Sequence, residues 1–184
     1  MRLTAPGATA ALLILAACAA GVPSHDGVFA PGVDPSAQAE DGLVVGHRLM
    51  QAGEYQLALD AFTRAAGQQG LTAEVLVALG TANLALGRLN QAEDLLRRAT
   101  REDAEWPEAW NNLGVVLIER GQTAEAAAVF RKAFALDNGQ STAIRDNLRL
   151  ALAKLEDPGY DEAAQQQYRL VREGSGSYRI RRAP

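Results

Sequence analysis

The residues of this chain that could do chemistry are few and widely spaced. The sequence has one cysteine, Cys18, and two histidines, His25 and His47. It contains no HExxH zinc motif, no phosphate-binding glycine loop and no nucleophile elbow. We therefore predict that the chain is not an enzyme and that it uses no cofactor, no metal and no small-molecule substrate.

Pairs of adjacent carboxylates are the remaining candidates for acid–base chemistry. They are Glu40-Asp41, Glu93-Asp94 and Glu102-Asp103. We expect each pair at a helix start or on an exposed face, where negative charge is solvated or favoured by the helix dipole. The pairs are interpreted as structural.

Cys18 follows a segment typical of a secretion signal. Arg2 precedes an apolar run, Ala8–Ala17, which is too short to span a bilayer. The run ends in Leu15-Ala16-Ala17-Cys18, which resembles the bacterial lipobox. The resemblance implies a signal peptide over 1–17 and lipidation at Cys18; an ordinary signal peptide with a chance cysteine is the alternative.

The residue after the cysteine influences sorting in bacterial lipoproteins, and aspartate there retains the protein in the inner membrane. Ala19 stands at that position, so the resemblance favours an outer-membrane lipoprotein that faces the periplasm. Residues 18–38 contain three prolines and several glycines and serines with little apolar patterning. They predict a flexible tether, which spans roughly 25 Å root-mean-square.

A period of 34 residues organises the middle of the chain. Glycines, alanines and a large apolar residue recur at this step: Gly46, Gly80 and Gly114; Gly53, Gly87 and Gly121; Ala58, Ala92 and Ala126; Phe62, Leu96 and Phe130; Ala65, Ala99 and Ala133. Such a period is the signature of a helix–turn–helix solenoid. The glycines inside helical patterns suggest close helix contacts, and Gly53 and its equivalents fall in the turns.

These positions match the tetratricopeptide repeat (TPR) family, most completely in the third repeat: Trp110, Leu113, Gly114, Leu117, Gly121, Ala126, Phe130 and Ala133. The proline that usually closes each repeat is absent. The resemblance implies an all-α TPR solenoid over 39–172, with repeats at about 39–72, 73–106 and 107–140 and a capping helical pair at 141–172.

The capping pair is predicted as an amphipathic helix, Ser141–Glu156, and a more polar helix, Tyr160–Arg172. Residues 173–184 are predicted as a flexible basic tail. Tyr178-Arg179-Ile180-Arg181 alternates, and such a segment could add to the edge of a partner's sheet. A solvated, disordered tail is the alternative.

In TPR arrays the first helix of each pair lines a concave groove. The resemblance places Leu43, His47, Val77, Thr81, Asn111, Val115, Arg145 and Arg149 along it. The row has an apolar floor and a glutamate rim, and it lacks the lysine–asparagine cluster that clamps a terminal carboxylate. An extended or helical segment with apolar side chains is the expected guest, unless these residues simply pack inside the superhelix.

Charge and family resemblance limit the classes of partner that we expect. The formal net charge of −4, or −5 once Arg2 is removed with the signal peptide, disfavours nucleic acid. A short TPR lipoprotein resembles the TadD family of pilotin-like lipoproteins of the tight-adherence (Flp) pilus system. That resemblance implies an adaptor that assists assembly of a pilus or secretion apparatus; the alternative is an envelope scaffold or chaperone that recruits an enzyme such as a peptidoglycan hydrolase.

Overall fold

The computed structural model describes residues 40–156, 168–173 and 177–182. These residues form seven helices and two strands: α1 (Gly42–Ala52), α2 (Tyr55–Gln69), α3 (Ala73–Ala85), α4 (Leu89–Glu102), α5 (Pro107–Glu119), α6 (Thr123–Leu136), α7 (Thr142–Glu156), β1 (Tyr168–Glu173) and β2 (Ser177–Arg182). Within the described residues, no helix is long and apolar enough to cross a membrane. Cys18 and the predicted tether lie outside them.

The helices pack as successive antiparallel pairs, α1 with α2, α3 with α4 and α5 with α6, and each pair packs on the next. The first helices also contact one another in the order α1, α3, α5 and α7. They form one continuous surface, which we call the groove. The predicted solenoid, with its three repeats and the helix at 142–156, is confirmed.

The repeated glycines lie where two helices of a pair approach closely. A Cβ atom added to Gly80 would lie 2.7 Å from Cγ of Leu96, and one added to Gly114 would lie 2.5 Å from Cε1 of Phe130. Such distances leave no room for a side chain, because van der Waals contact begins well beyond them. The close contact predicted from the 34-residue period is confirmed.

The turns within the pairs contain glycine in the left-handed region, as expected. Gly53 has φ 80°, and the equivalent Gly87 and Gly121 have φ 71° and 73°. The N–H of Gly87 donates to the carbonyl oxygen of Leu84 at 2.9 Å and so satisfies one carbonyl of the preceding helix end. Each repeat therefore turns at the same point of its sequence.

The carboxyl-terminal segment differs from the prediction. β1 and β2 pair antiparallel, with Tyr168 opposite Arg182 and Glu173 opposite Ser177. The predicted helix Tyr160–Arg172 is thus wrong over 168–172, and the predicted flexible tail is wrong over 177–182; residues 157–167 lie outside the described residues. The physical reason is that the backbone of β2 forms hydrogen bonds with side chains of α5 and α7, which hold it extended, and β1 pairs with β2.

Candidate protein-binding groove

Three buried asparagines stand where β2 crosses the groove. Asn111 and Asn112 are on α5, Asn147 is on α7, and each of the three is 0% exposed. β2 packs on both of these helices. Amide side chains at this depth need hydrogen-bond partners, because an unsatisfied buried polar group costs about 1–3 kcal/mol.

The asparagines bind the backbone of β2. The carbonyl oxygen of Tyr178 accepts from Nδ2 of Asn111 at 3.1 Å and from Nδ2 of Asn147 at 2.7 Å. The N–H of Tyr178 donates to Oδ1 of Asn112 at 3.3 Å. The N–H of Ile180 donates to Oδ1 of Asn147 at 3.0 Å. Asn147 therefore acts on two residues of the strand, as donor to one and acceptor from the other.

The same side chains also bind one another. Nδ2 of Asn147 donates to Oδ1 of Asn111 at 2.9 Å, and Nδ2 of Asn111 is 3.3 Å from Oδ1 of Asn112. Nδ2 of Asn111 also lies 3.1 Å from Oγ of Ser177. The contacts among the three asparagines join them in one hydrogen-bonded network with the docked strand, in which the orientation of each amide depends on its neighbours.

The two edges of β2 are satisfied in different ways. Residues in an antiparallel ladder direct their N–H and C=O groups alternately toward one neighbour and then the other. Tyr178 and Ile180 direct theirs toward the asparagines, so the backbone groups of Arg179 between them face β1. The side-chain amides thus occupy the place of a second neighbouring strand.

Side chains of β2 add two kinds of contact. Tyr178 and Ile180 are 5% and 9% exposed, and both belong to the apolar cluster that continues through the helices. Arg179, between them, forms an ion pair with Asp146 at 3.3 Å and donates to Oγ1 of Thr142 at 2.6 Å. The array therefore buries the aromatic and the aliphatic residue in its apolar cluster and pairs the basic residue between them with a carboxylate.

A second part of the groove is not covered by β2. A cavity of about 250 Å³ lies between α1, α3 and the start of α5, lined by His47, Glu74, Val77, Ala78, Thr81, Trp106 and Glu108. The ring of His47 packs edge-on against Phe62, with centroids 5.2 Å apart. The cavity has an apolar floor and two carboxylates at its rim, and we call it the open cavity.

The residues predicted for the groove fall into separate environments. His47, Val77 and Thr81 line the open cavity, whereas Asn111 binds β2. Leu43 and Val115 are buried in the apolar cluster.

The two predicted arginines lie on α7. Arg149 is exposed and lies 3.7 Å from Asp146, and Arg145 is half-buried. Neither residue lines the open cavity.

Sequence reasoning missed Asn112, Asn147 and the docked Tyr178. The available signal was a pair of adjacent asparagines and a third asparagine on helix faces that are otherwise apolar. Such residues are seldom fully buried unless they have a specific partner.

Other polar clusters are bound up in structural contacts. Glu93 forms ion pairs with Arg97 on its own helix and with Arg120 at the end of α5, each at 2.8 Å. Arg97 also reaches Glu125 on α6 at 2.6 Å. Within the described part of the chain, no group of three or more histidine, cysteine or carboxylate side chains is placed to hold a metal ion.

Known proteins share this architecture. The crystal structure of the Sgt2 TPR domain from Aspergillus fumigatus is 24% identical, with a TM-score of 0.62 over 70% of this chain and 87% of that one. The type III secretion translocator chaperone SycD of Yersinia enterocolitica is 20% identical, with a TM-score of 0.58 over 64% and 86%. The first TPR of Spaghetti (RPAP3), bound to the HSP90 peptide SRMEEVD, is 16% identical, with a TM-score of 0.58 over 67% and 100%.

At these identities the structural similarity establishes the fold. No curated protein sequence matches the chain. The family model described as tetratricopeptide repeat matches residues 45–107 and 77–141, which together span more than half of the sequence. TPR domains are typically modules for protein–protein interaction. The chain belongs to the tetratricopeptide repeat family.

Proposed function

We propose that this protein is an adaptor of the bacterial cell envelope whose groove binds an extended segment of a partner protein. The observation that carries this proposal is β2, an extended segment held on the groove by side-chain amides that contact its backbone. Backbone groups are common to all polypeptides, so a site of this kind suits a protein partner. The open cavity beside it offers room for further residues of the same partner.

The chemistry of the open cavity narrows the partner. Glu74 and Glu108 at its rim would repel a terminal carboxylate or an acidic peptide. The RPAP3 domain, by contrast, is bound to a peptide that ends in Glu-Glu-Val-Asp. We therefore propose a partner segment that is neutral or basic and has apolar side chains for the floor at Val77 and Trp106.

Anchoring is proposed from the sequence. The lipobox-like Leu15-Ala16-Ala17-Cys18 supports lipidation at Cys18, and Ala19 supports delivery to the outer membrane on its periplasmic side. Stable membrane attachment takes two or more acyl chains, which a mature bacterial lipoprotein carries. The tether predicted for 18–38 would let the array bind partners away from the membrane surface.

Within the envelope, we propose that the adaptor assists assembly of a pilus or secretion apparatus, as its resemblance to TadD-type lipoproteins implies. The likeness to SycD, a chaperone of secretion translocators, is compatible with this role but supports only the fold. A scaffold that recruits a peptidoglycan hydrolase would use the same groove and differs in the partner.

Groove-dependent capture tests the proposal. The full lipidated chain would be extracted from envelopes in detergent, and co-purifying proteins would be quantified by mass spectrometry. Val77→Glu adds a third carboxylate to the open cavity, so we expect recovery of pilus or secretion components to fall at least tenfold. Val44→Glu introduces the same change at an exposed position of α1 and should leave recovery unchanged.

Circular dichroism of both variants shows whether the helices persist. Recovery of pilus components that is equal in all three proteins would contradict the groove as their binding site. Groove-dependent recovery of a hydrolase instead would replace the assembly role with the scaffold role.

A further inference from the structure

We propose that Ser177–Arg182 is an internal ligand of the groove, and that the partner segment which replaces it carries the same pattern of an aromatic, a basic and an aliphatic residue in extended conformation. This inference rests on the proposed function, because it names the class of segment that the groove accepts. It also implies that partner and β2 compete for the asparagines.

The backbone groups of β2 that the asparagines bind are common to all extended segments. The asparagines bind the N–H and C=O of Tyr178 and the N–H of Ile180, two residues apart. Any extended segment presents the same groups at the same spacing, because successive residues of a strand alternate in direction. A partner strand can therefore take every one of these hydrogen bonds once β2 has left.

The side chains of β2 also contact the helical array. Tyr178 and Ile180 are buried in the apolar cluster, and Arg179 between them pairs with Asp146. A segment without apolar residues at both outer positions would leave that part of the cluster open to water. A segment with an acidic residue in the middle would place like charges together at Asp146. The site thus selects a pattern as well as a conformation.

The β1–β2 hairpin must leave the groove before a partner strand can take the place of β2. Among the described elements, β2 pairs with β1 and packs on α5 and α7. The hairpin can leave as a unit without breaking a helix pair. A two-stranded hairpin by itself is at best marginally stable in water, so the docked hairpin depends on its contacts with α5 and α7, and a partner strand would take over those contacts. The apparent affinity for a partner is the intrinsic affinity of the groove multiplied by the fraction of molecules in which β2 is undocked.

A peptide-binding experiment tests the exchange. The probe is a fluorescent peptide, Ser-Tyr-Arg-Ile-Arg-Arg-Ala-Pro, which copies residues 177–184. It is titrated, in detergent, into the full native chain and into a full chain with Tyr178→Ala and Ile180→Ala, in which the internal strand lacks its buried side chains. We expect the double variant to bind the peptide at least tenfold more tightly. Adding Asn147→Ala to the double variant should weaken its binding of the peptide at least tenfold.

A control peptide separates pattern from composition. Ser-Tyr-Ile-Arg-Arg-Arg-Ala-Pro has the same residues, but its tyrosine and isoleucine are adjacent, so only one can point into the array. It should bind at least tenfold more weakly than the probe. Equal binding of the two peptides, or equal binding of the probe to the native chain and the double variant, would overturn the inference.

Hydrogen exchange reports the displacement directly. In the native chain, the amides of Tyr178 and Ile180 donate to the asparagines and should therefore exchange slowly. Saturating peptide should increase their exchange while the helices stay protected. Peptide bound with no change at these two amides would place it elsewhere and overturn the inference. The adaptor proposal would still stand if envelope partners were captured through Val77, so the two failures are distinguishable.

Discussion

At the scale of single residues, side-chain amides take the place of a neighbouring strand on one edge of β2. An asparagine offers a donor and an acceptor together, which are the two groups that an extended backbone requires. Asn147 uses both, on Tyr178 and on Ile180. A leucine of similar size would fill the space and bind neither, and this explains why polar residues occupy so apolar a position.

Asn147→Ala tests this role. The change removes the hydrogen bonds to Tyr178 and Ile180 and one to Asn111, and it leaves buried groups without partners. We expect the free energy of unfolding to fall by about 1–3 kcal/mol, measured by urea denaturation. Faster hydrogen exchange at the two amides of β2 should accompany the loss.

Asn90→Ala is the control, because Asn90 is an exposed asparagine at the start of α4 whose side chain accepts a hydrogen bond from Arg120 in contact with solvent. Its effect should stay within about 0.5 kcal/mol, as is usual for surface positions. If the two variants unfold at the same urea concentration, the amide of Asn147 does not stabilise the docked strand.

At the scale of elements, the close contact of α3 with α4 depends on small residues from both helices. Gly80 lies against Leu96, and Ala92 of α4 is 0% exposed. Ala92→Glu would put an unpaired charge into this contact. We expect a loss of about 3 kcal/mol or more and a lower thermal transition, because a buried charge without a partner is strongly destabilising.

Gln91→Glu gives the same charge one residue earlier on the exposed face of α4. It should melt close to the native protein. An Ala92→Glu variant with an unchanged melting temperature would mean that position 92 does not lie in a close helix contact.

The helical array was predictable because each repeat carries its own evidence. Gly46, Gly80 and Gly114 mark the same contact three times, so the period gives both the fold and the register. β1 and β2 have no such repetition. Their short apolar patterns are compatible with either helix or strand, and the strand is decided by amides that come from distant helices. Asn111 was predicted to lie along the groove, whereas Asn147 lies outside the predicted row.

At the scale of the whole molecule, the array presents two regions, the open cavity and the asparagine region that β2 occupies. The open cavity is apolar with an acidic rim, whereas the asparagine region is filled by the chain's own basic strand. A partner that is basic and apolar would suit both regions. The carboxylates at the rim of the open cavity and Asp146 at the asparagine region both attract a basic residue, in a chain whose formal net charge is −4. The same kind of segment is therefore favoured at both regions.

Membrane attachment and partner binding should be separable, because the proposed anchor, Cys18, precedes the repeats in sequence. Among the described residues, those whose side-chain amides bind the backbone of β2 lie on α5 and α7. Cys18→Ser should abolish labelling by a palmitate analogue and release the protein from membranes, since the hydroxyl does not replace the thiol in lipoprotein modification. The released protein should still bind the partner with the affinity of the detergent-extracted native protein. Cys18→Ser combined with Val77→Glu should be soluble and fail to bind. A Cys18→Ser protein that still sediments with outer membranes and takes up the label would contradict lipidation at this residue, whereas loss of partner binding on release would show that the membrane forms part of the binding site.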